Sequence, residues 1–161
     1  MSTNNYFGCA ILGMHDALVS TLGLAAGMVI AEYDNGTVLL TGVIASVAAA
    51  MSMGASQYLA YKTSYGPKDS FKYGATTGIS YMLTTVALLI PFAMSVSGIY
   101  ALSIMFTIGV ILITLFNIVM ARFCHKPFFK SWLEMITVCS LVTFAAFFVG
   151  AFAKSMLGID I

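Results

Sequence analysis

The chain has 161 residues, 60% of them hydrophobic and only 8% charged, whereas a soluble domain of this length carries about 25% charged residues. That composition excludes a soluble fold, and a net charge of +1 offers nothing to nucleic acid or another polyanion. Cys9, Cys124 and Cys139 lack a C-x-x-C spacing, so neither a disulfide framework nor a zinc motif is expected.

From the N-terminus, "MSTNNYF" brings no basic residue before an apolar run of roughly 25 residues, too long for the core of a signal peptide, and the run reads as a retained first span. A bilayer needs about 20 apolar residues per helix, and runs of that length cover residues 7–31, 37–61, 71–94, 98–121 and 131–153. The breaks "EYDNG", "KTSYGPKDSFK", "SVS" and "RFCHKPFFK" carry the Gly, Pro, Ser and charge of loops. None exceeds about a dozen residues, so residues 1–161 read as one all-α integral membrane domain of five transmembrane helices. Lys62, Lys68 and Lys72 fall around the second break and Arg122, Lys126 and Lys130 around the fourth, while the first and third have no Lys or Arg. The positive-inside rule then puts the N-terminus in the cytoplasm and the C-terminus outside, with Glu32, Asp34 and Asp160 on the far side and Lys154 the one dissenting cation.

In the first span "GMHDALVSTLGLAAGM" holds Asp16, the one acidic residue in the interior of any span. It lies roughly 14 Å below the cytoplasmic surface, where an ionised aspartate costs on the order of 3 kcal/mol and must face a partner, a cation or water. Counting back from Lys62 places Met53 of the second span at the same depth. If the two spans form a hairpin, carboxylate and thioether converge, and that mixture of hard and soft ligands suits a transition metal better than an alkaline-earth ion. Cys9, two turns from Asp16, and Gln57, one turn from Met53, extend the polar line toward the cytoplasmic mouth, with Ser52 and Ser56 beside it.

Each of these also has a plainer reading. Met53 is one of 11 methionines, most of which fill gaps, and Cys9 reads equally as a small buried hydrophobe. Gln57 and the serines serve as well for bonding between helices. His15 points about 100° away from Asp16 around the helix and reads as a bystander. Gly23 and Gly27 have a G-x-x-x-G spacing, and Ala45, Ala49 and Met53 form a stripe that lets helices approach, within a subunit or across a dimer. Glu134, near the start of the fifth span, either positions that helix or gathers cations at the mouth. His125 reads as a surface residue, and Tyr6, Tyr58, Tyr61, Tyr65, Phe71, Tyr73 and Trp132 as an aromatic belt at the cytoplasmic interface. No phosphate-binding loop, nucleophile elbow or H-E-x-x-H motif occurs, which argues against an enzyme and against an ATP-driven pump.

"DALVSTLGLAAG" and "AMSMGASQYLAYKT" resemble the paired signature of the vacuolar iron transporter family, and "LLIPFAM" and "KPFFKSWLEM" continue the likeness across nearly the whole chain. The resemblance implies a five-span protomer working as a homodimer, first helices near the two-fold axis, that exchanges Fe(II) or Mn(II) for protons. It carries the family's intramembrane aspartate onto Asp16 and its methionine onto Met53, with Ser20, Ser52 and Gly23 keeping the pattern. The chain departs from plant members in having only "KTSYGPKDSFK" where they insert a glutamate-rich cytoplasmic domain, and in placing Cys9 and Ala45 where they carry acids; Gln57 replaces a glutamate of many bacterial relatives. The expectation is therefore a secondary transporter exporting a divalent transition metal in exchange for protons. Asp16 and Met53 would be the metal site, with Cys9, Gln57, Ser20, Ser52 and Glu134 as entrance or coupling residues, and no resident cofactor. Its membrane would be the cell membrane in a prokaryote or an organelle membrane in a eukaryote. The alternative is a non-transporting scaffold or partner subunit in which Asp16 serves assembly.

Overall fold

The computed structural model describes residues 3–66, 69–94, 97–124 and 127–157. These form five helices, α1 (Thr3–Ile30), α2 (Asn35–Tyr65), α3 (Ser70–Ala93), α4 (Gly98–Cys124) and α5 (Phe128–Leu157), each long and apolar enough to cross a membrane. The helices outrun most of the apolar stretches by a few residues. Hydropathy marks the hydrocarbon crossing, whereas the backbone keeps its internal hydrogen bonds beyond it, where long cationic side chains reach the interface. Lys62, Lys72, Arg122 and Lys130, expected in loops, accordingly stand on terminal turns of helices. Lys68, His125, Lys126 and Asp160 lie outside the described residues.

Local sequence explains the first connection. α1 ends in a Schellman motif: Tyr33 N donates to the Met28 carbonyl at 3.1 Å and Glu32 N to that of Val29 at 3.1 Å, with Glu32 in the left-handed region at φ 64°. Asp34 then caps α2, its Oδ1 accepting from Thr37 N at 3.1 Å and its Oδ2 from the Thr37 hydroxyl. Those bonds hold the exposed Asp34 carboxyl below the usual range. Lys154 near the end of α5 meets Glu32 at 2.6 Å, so the C-terminal ends of α1 and α5 lie together and the cation that dissented from the charge pattern has a local partner. At the other end of α2, Gly66 takes φ 85° and returns its N–H to the Lys62 carbonyl at 3.1 Å.

α1 is the central helix, packed chiefly between α3 and α5, with α4 across all three. Its Leu18 and Leu22 join Leu88 and Leu89 of α3 and Met105 and Ile113 of α4 in the main core. α2 leans on α3 far more than on α1, so the hairpin considered for the first two spans is an open one. The reason is glycine. A Cβ on Gly74 would sit 2.5 Å from the Gly54 carbonyl oxygen, and one on Gly78 3.1 Å from that of Ala50, so α2 and α3 touch backbone to backbone. Gly27 forms the same kind of contact with α5, where a Cβ on Gly150 would lie 2.5 Å from the Gly27 oxygen. The G-x-x-x-G of α1 thus acts within the subunit.

The aromatic cluster differs from a belt at the lipid surface. Tyr73 of α3 is 2% exposed and stacks between Tyr6 of α1 and Tyr61 of α2, at centroid distances of 4.5 and 4.1 Å. Three helices are joined there by ring faces. The side chain of Tyr65 lies outside the described residues.

Candidate metal-binding cleft

Because α2 closes on α3, its remaining face and α1 border a cleft of about 390 Å³. α1 contributes Leu12 and Asp16, and α2 contributes Ala49, Ser52, Met53, Ser56 and Gln57. Asp16 and Met53, which helix rise places at one depth, therefore line one space. The α2 residues recur at i, i+3, i+4, i+7 and i+8 from Ala49, so a single stripe supplies a thioether, two hydroxyls and an amide. Asp16 is half-buried, and its carboxylate has no hydrogen bond or ion pair among the described residues. It is the one carboxylate lining this cleft.

The other expected residues divide. Gln57 Nε2 approaches the sulfur of Cys9 at 3.8 Å, joining α2 to α1 one turn nearer the stacked tyrosines. Cys9 is 1% exposed, so its thiol belongs to the packed junction more than to an open mouth. Ser20 does not line the cleft; its hydroxyl donates to the Asp16 carbonyl at 2.6 Å and pairs with the Tyr81 hydroxyl at 2.7 Å. Tyr81 is the residue that sequence reading missed. It is buried on α3 against Ala17 and Ala50, and through Ser20 it braces the turn of α1 that carries Asp16. A lone intramembrane tyrosine away from the interfacial positions was the available signal.

Glu134 is not brought to Asp16. It lines a separate cavity of about 190 Å³ on the other side of α1, with His15, Ser131, Met120 and Met135. His15 thus faces away from the cleft, as its 100° offset requires. Among the described residues no three His, Cys, Asp or Glu side chains form a group able to hold a metal ion, so ligands in either space must also come from sulfur, hydroxyl or amide groups, or from another copy.

No curated protein matches the chain. The five membrane-length helices, with a family match over the first two, mark an integral membrane protein. Residues 7–66, which contain Asp16, Met53 and the whole of α2, match the VIT family, whose members are metal transporters and not enzymes.

Proposed function

We propose that this protein is a homodimeric secondary transporter that moves Fe(II) or Mn(II) out of the cytoplasm in exchange for protons. The supporting observation is that Asp16 and Met53 line one cleft between α1 and α2. A carboxylate alone would accept Mg or Ca as readily, whereas a thioether beside it favours a softer divalent ion. Ser52, Ser56 and the amide oxygen of Gln57 are the further oxygens within the same stripe.

Orientation and assembly follow from charge. With Lys62, Lys72, Arg122 and Lys130 at one end of the bundle, that end faces the cytoplasm. The face of α1 bearing Leu12 and Ser20, both exposed, lies between α2 and α5 and is free to meet a second copy. One carboxylate does not neutralise a divalent ion; two copies of Asp16 across a two-fold axis would. Because Cys9, Ala45 and Gln57 carry no charge, Asp16 alternates between metal and proton: protonation neutralises it and releases the metal, and metal entry displaces the proton.

The test is metal-driven proton flux in proteoliposomes. Asp16→Asn keeps the shape of the side chain and removes the exchangeable charge, so Fe(II) and Mn(II) flux should fall to the level of empty vesicles while the dimer elutes unchanged from a sizing column. Flux at the wild-type rate would overturn the proposal. A wild type that carries no flux, together with an Asp16→Asn variant whose dimer dissociates, would instead favour the scaffold.

A further inference from the structure

The cavity on the far side of α1 holds a second constellation outside the region just assigned. His15 of α1, Met120 of α4 and Ser131, Glu134 and Met135 of α5 line it. Among the described residues, two buried side-chain polar atoms lack a hydrogen-bond partner, His15 Nε2 and Asn117 Oδ1; His15 lines this cavity, whereas Asn117 stands behind its wall, bonded to the lining Met135. Asn117, 1% exposed, donates Nδ2 to the Ile113 carbonyl at 2.8 Å and to the Met135 sulfur at 3.2 Å. The bond to Ile113 fixes which end of the amide is oxygen, since a flipped amide would set two acceptors against each other. A buried polar atom without a partner costs about 1–3 kcal/mol, and His15 Nε2 on a cavity wall calls for a bound species that satisfies it.

The donor chemistry limits what that species is. An imidazole nitrogen, a carboxylate and a thioether border the same space, and Met120 retains its sulfur lone pairs whereas Met135 shares one with Asn117. Imidazole suits Fe, Ni, Cu and Zn, thioether is a poor ligand for Mg or Ca, and a carboxylate supplies the charge that a cation needs at this depth. We infer that His15, Glu134 and Met120 form a second transition-metal site, separated from the Asp16 cleft by the thickness of α1. The inference does not depend on transport, and its readout is binding.

Co(II) serves as the probe, measured by equilibrium dialysis against the full chain in detergent micelles. With one ion at this site in each chain and one shared between the two copies of Asp16, the wild type is expected to bind about one and a half equivalents per chain and Asp16→Asn one. Adding either His15→Gln or Glu134→Gln to Asp16→Asn is expected to leave none. The two second-site variants act independently, so misfolding of one, seen on a sizing column, leaves the other to decide. A wild type that binds a single equivalent, insensitive to Asp16→Asn but lost with Glu134→Gln, would uphold this site while removing metal from the Asp16 cleft. The inference is overturned if Asp16→Asn abolishes all binding, or if its remaining equivalent survives Glu134→Gln and His15→Gln alike.

Discussion

At the scale of single residues, the meeting of Asp16 and Met53 in one cleft was legible because helix rise places the two level, and a carboxylate inside an apolar helix has few structural uses; their binding of metal is the proposal. Tyr81 was not legible, since its part depends on α3 lying against Ser20, and nothing in the local sequence sets that approach. Met53 also separates metal choice from folding. Met53→Leu conserves volume and should cost under about 1.5 kcal/mol in stability, while losing the sulfur. The expected result is a several-fold drop in Fe(II) flux with Mn(II) flux less affected, read in the same vesicles as a ratio; an unchanged ratio would assign Met53 to packing. Asp34 gives a prediction in pH. Its carboxyl is held low in the folded chain by Thr37, so its stabilising effect is present above the unfolded value and is lost as pH falls through the folded one, below about pH 4. Asp34→Asn keeps an acceptor for Thr37 and should flatten that acid limb, whereas Asp34→Ala should lower the melting temperature at neutral pH; thermal scans from pH 3 to 7 would show both.

At the scale of helices, all five spans could be marked off by hydropathy, but their ends could not, because the helices extend into the interfacial zone. Nor could their neighbours be read. The short link between α1 and α2 left open how closely the two pair, and Gly54, Gly74 and Gly78 decide it by binding α2 to α3 and leaving the cleft beside α1. These glycines are a single requirement met by two helices. A methyl at Gly74 would lie 2.5 Å from the Gly54 oxygen and 2.9 Å from the Tyr58 Cβ, both on one rigid helix. Gly74→Ala should therefore destabilise the protein by about 1–3 kcal/mol, while Gly8→Ala, with open space around it, should not. Melting curves in detergent discriminate the two, and equal stability of both variants would show that α2 and α3 yield easily.

At the scale of the whole molecule, the charge asymmetry predicts which end faces the cytoplasm. In a chain stripped of its native cysteines, Asn35→Cys should react with an impermeant maleimide added outside intact cells, and the exposed Ser64→Cys only after the membrane is opened; the reverse pattern would invert the proposed direction of transport. That prediction joins sequence to function through position alone, without reference to side-chain contacts. The three tyrosines at the basic end add a mechanical consequence. Tyr73 is held between rings from α1 and α2, the two helices that border the cleft, so any motion widening the cleft at that end must slide one ring off another. Each stacked pair contributes about 0.5–1.5 kcal/mol, small enough for thermal motion to break and large enough to favour the closed arrangement at rest. If the cleft is the path proposed for the metal, the stack would act on it as a spring latch, holding that end shut and letting aromatic contacts remote from the carboxylate set the time it spends open.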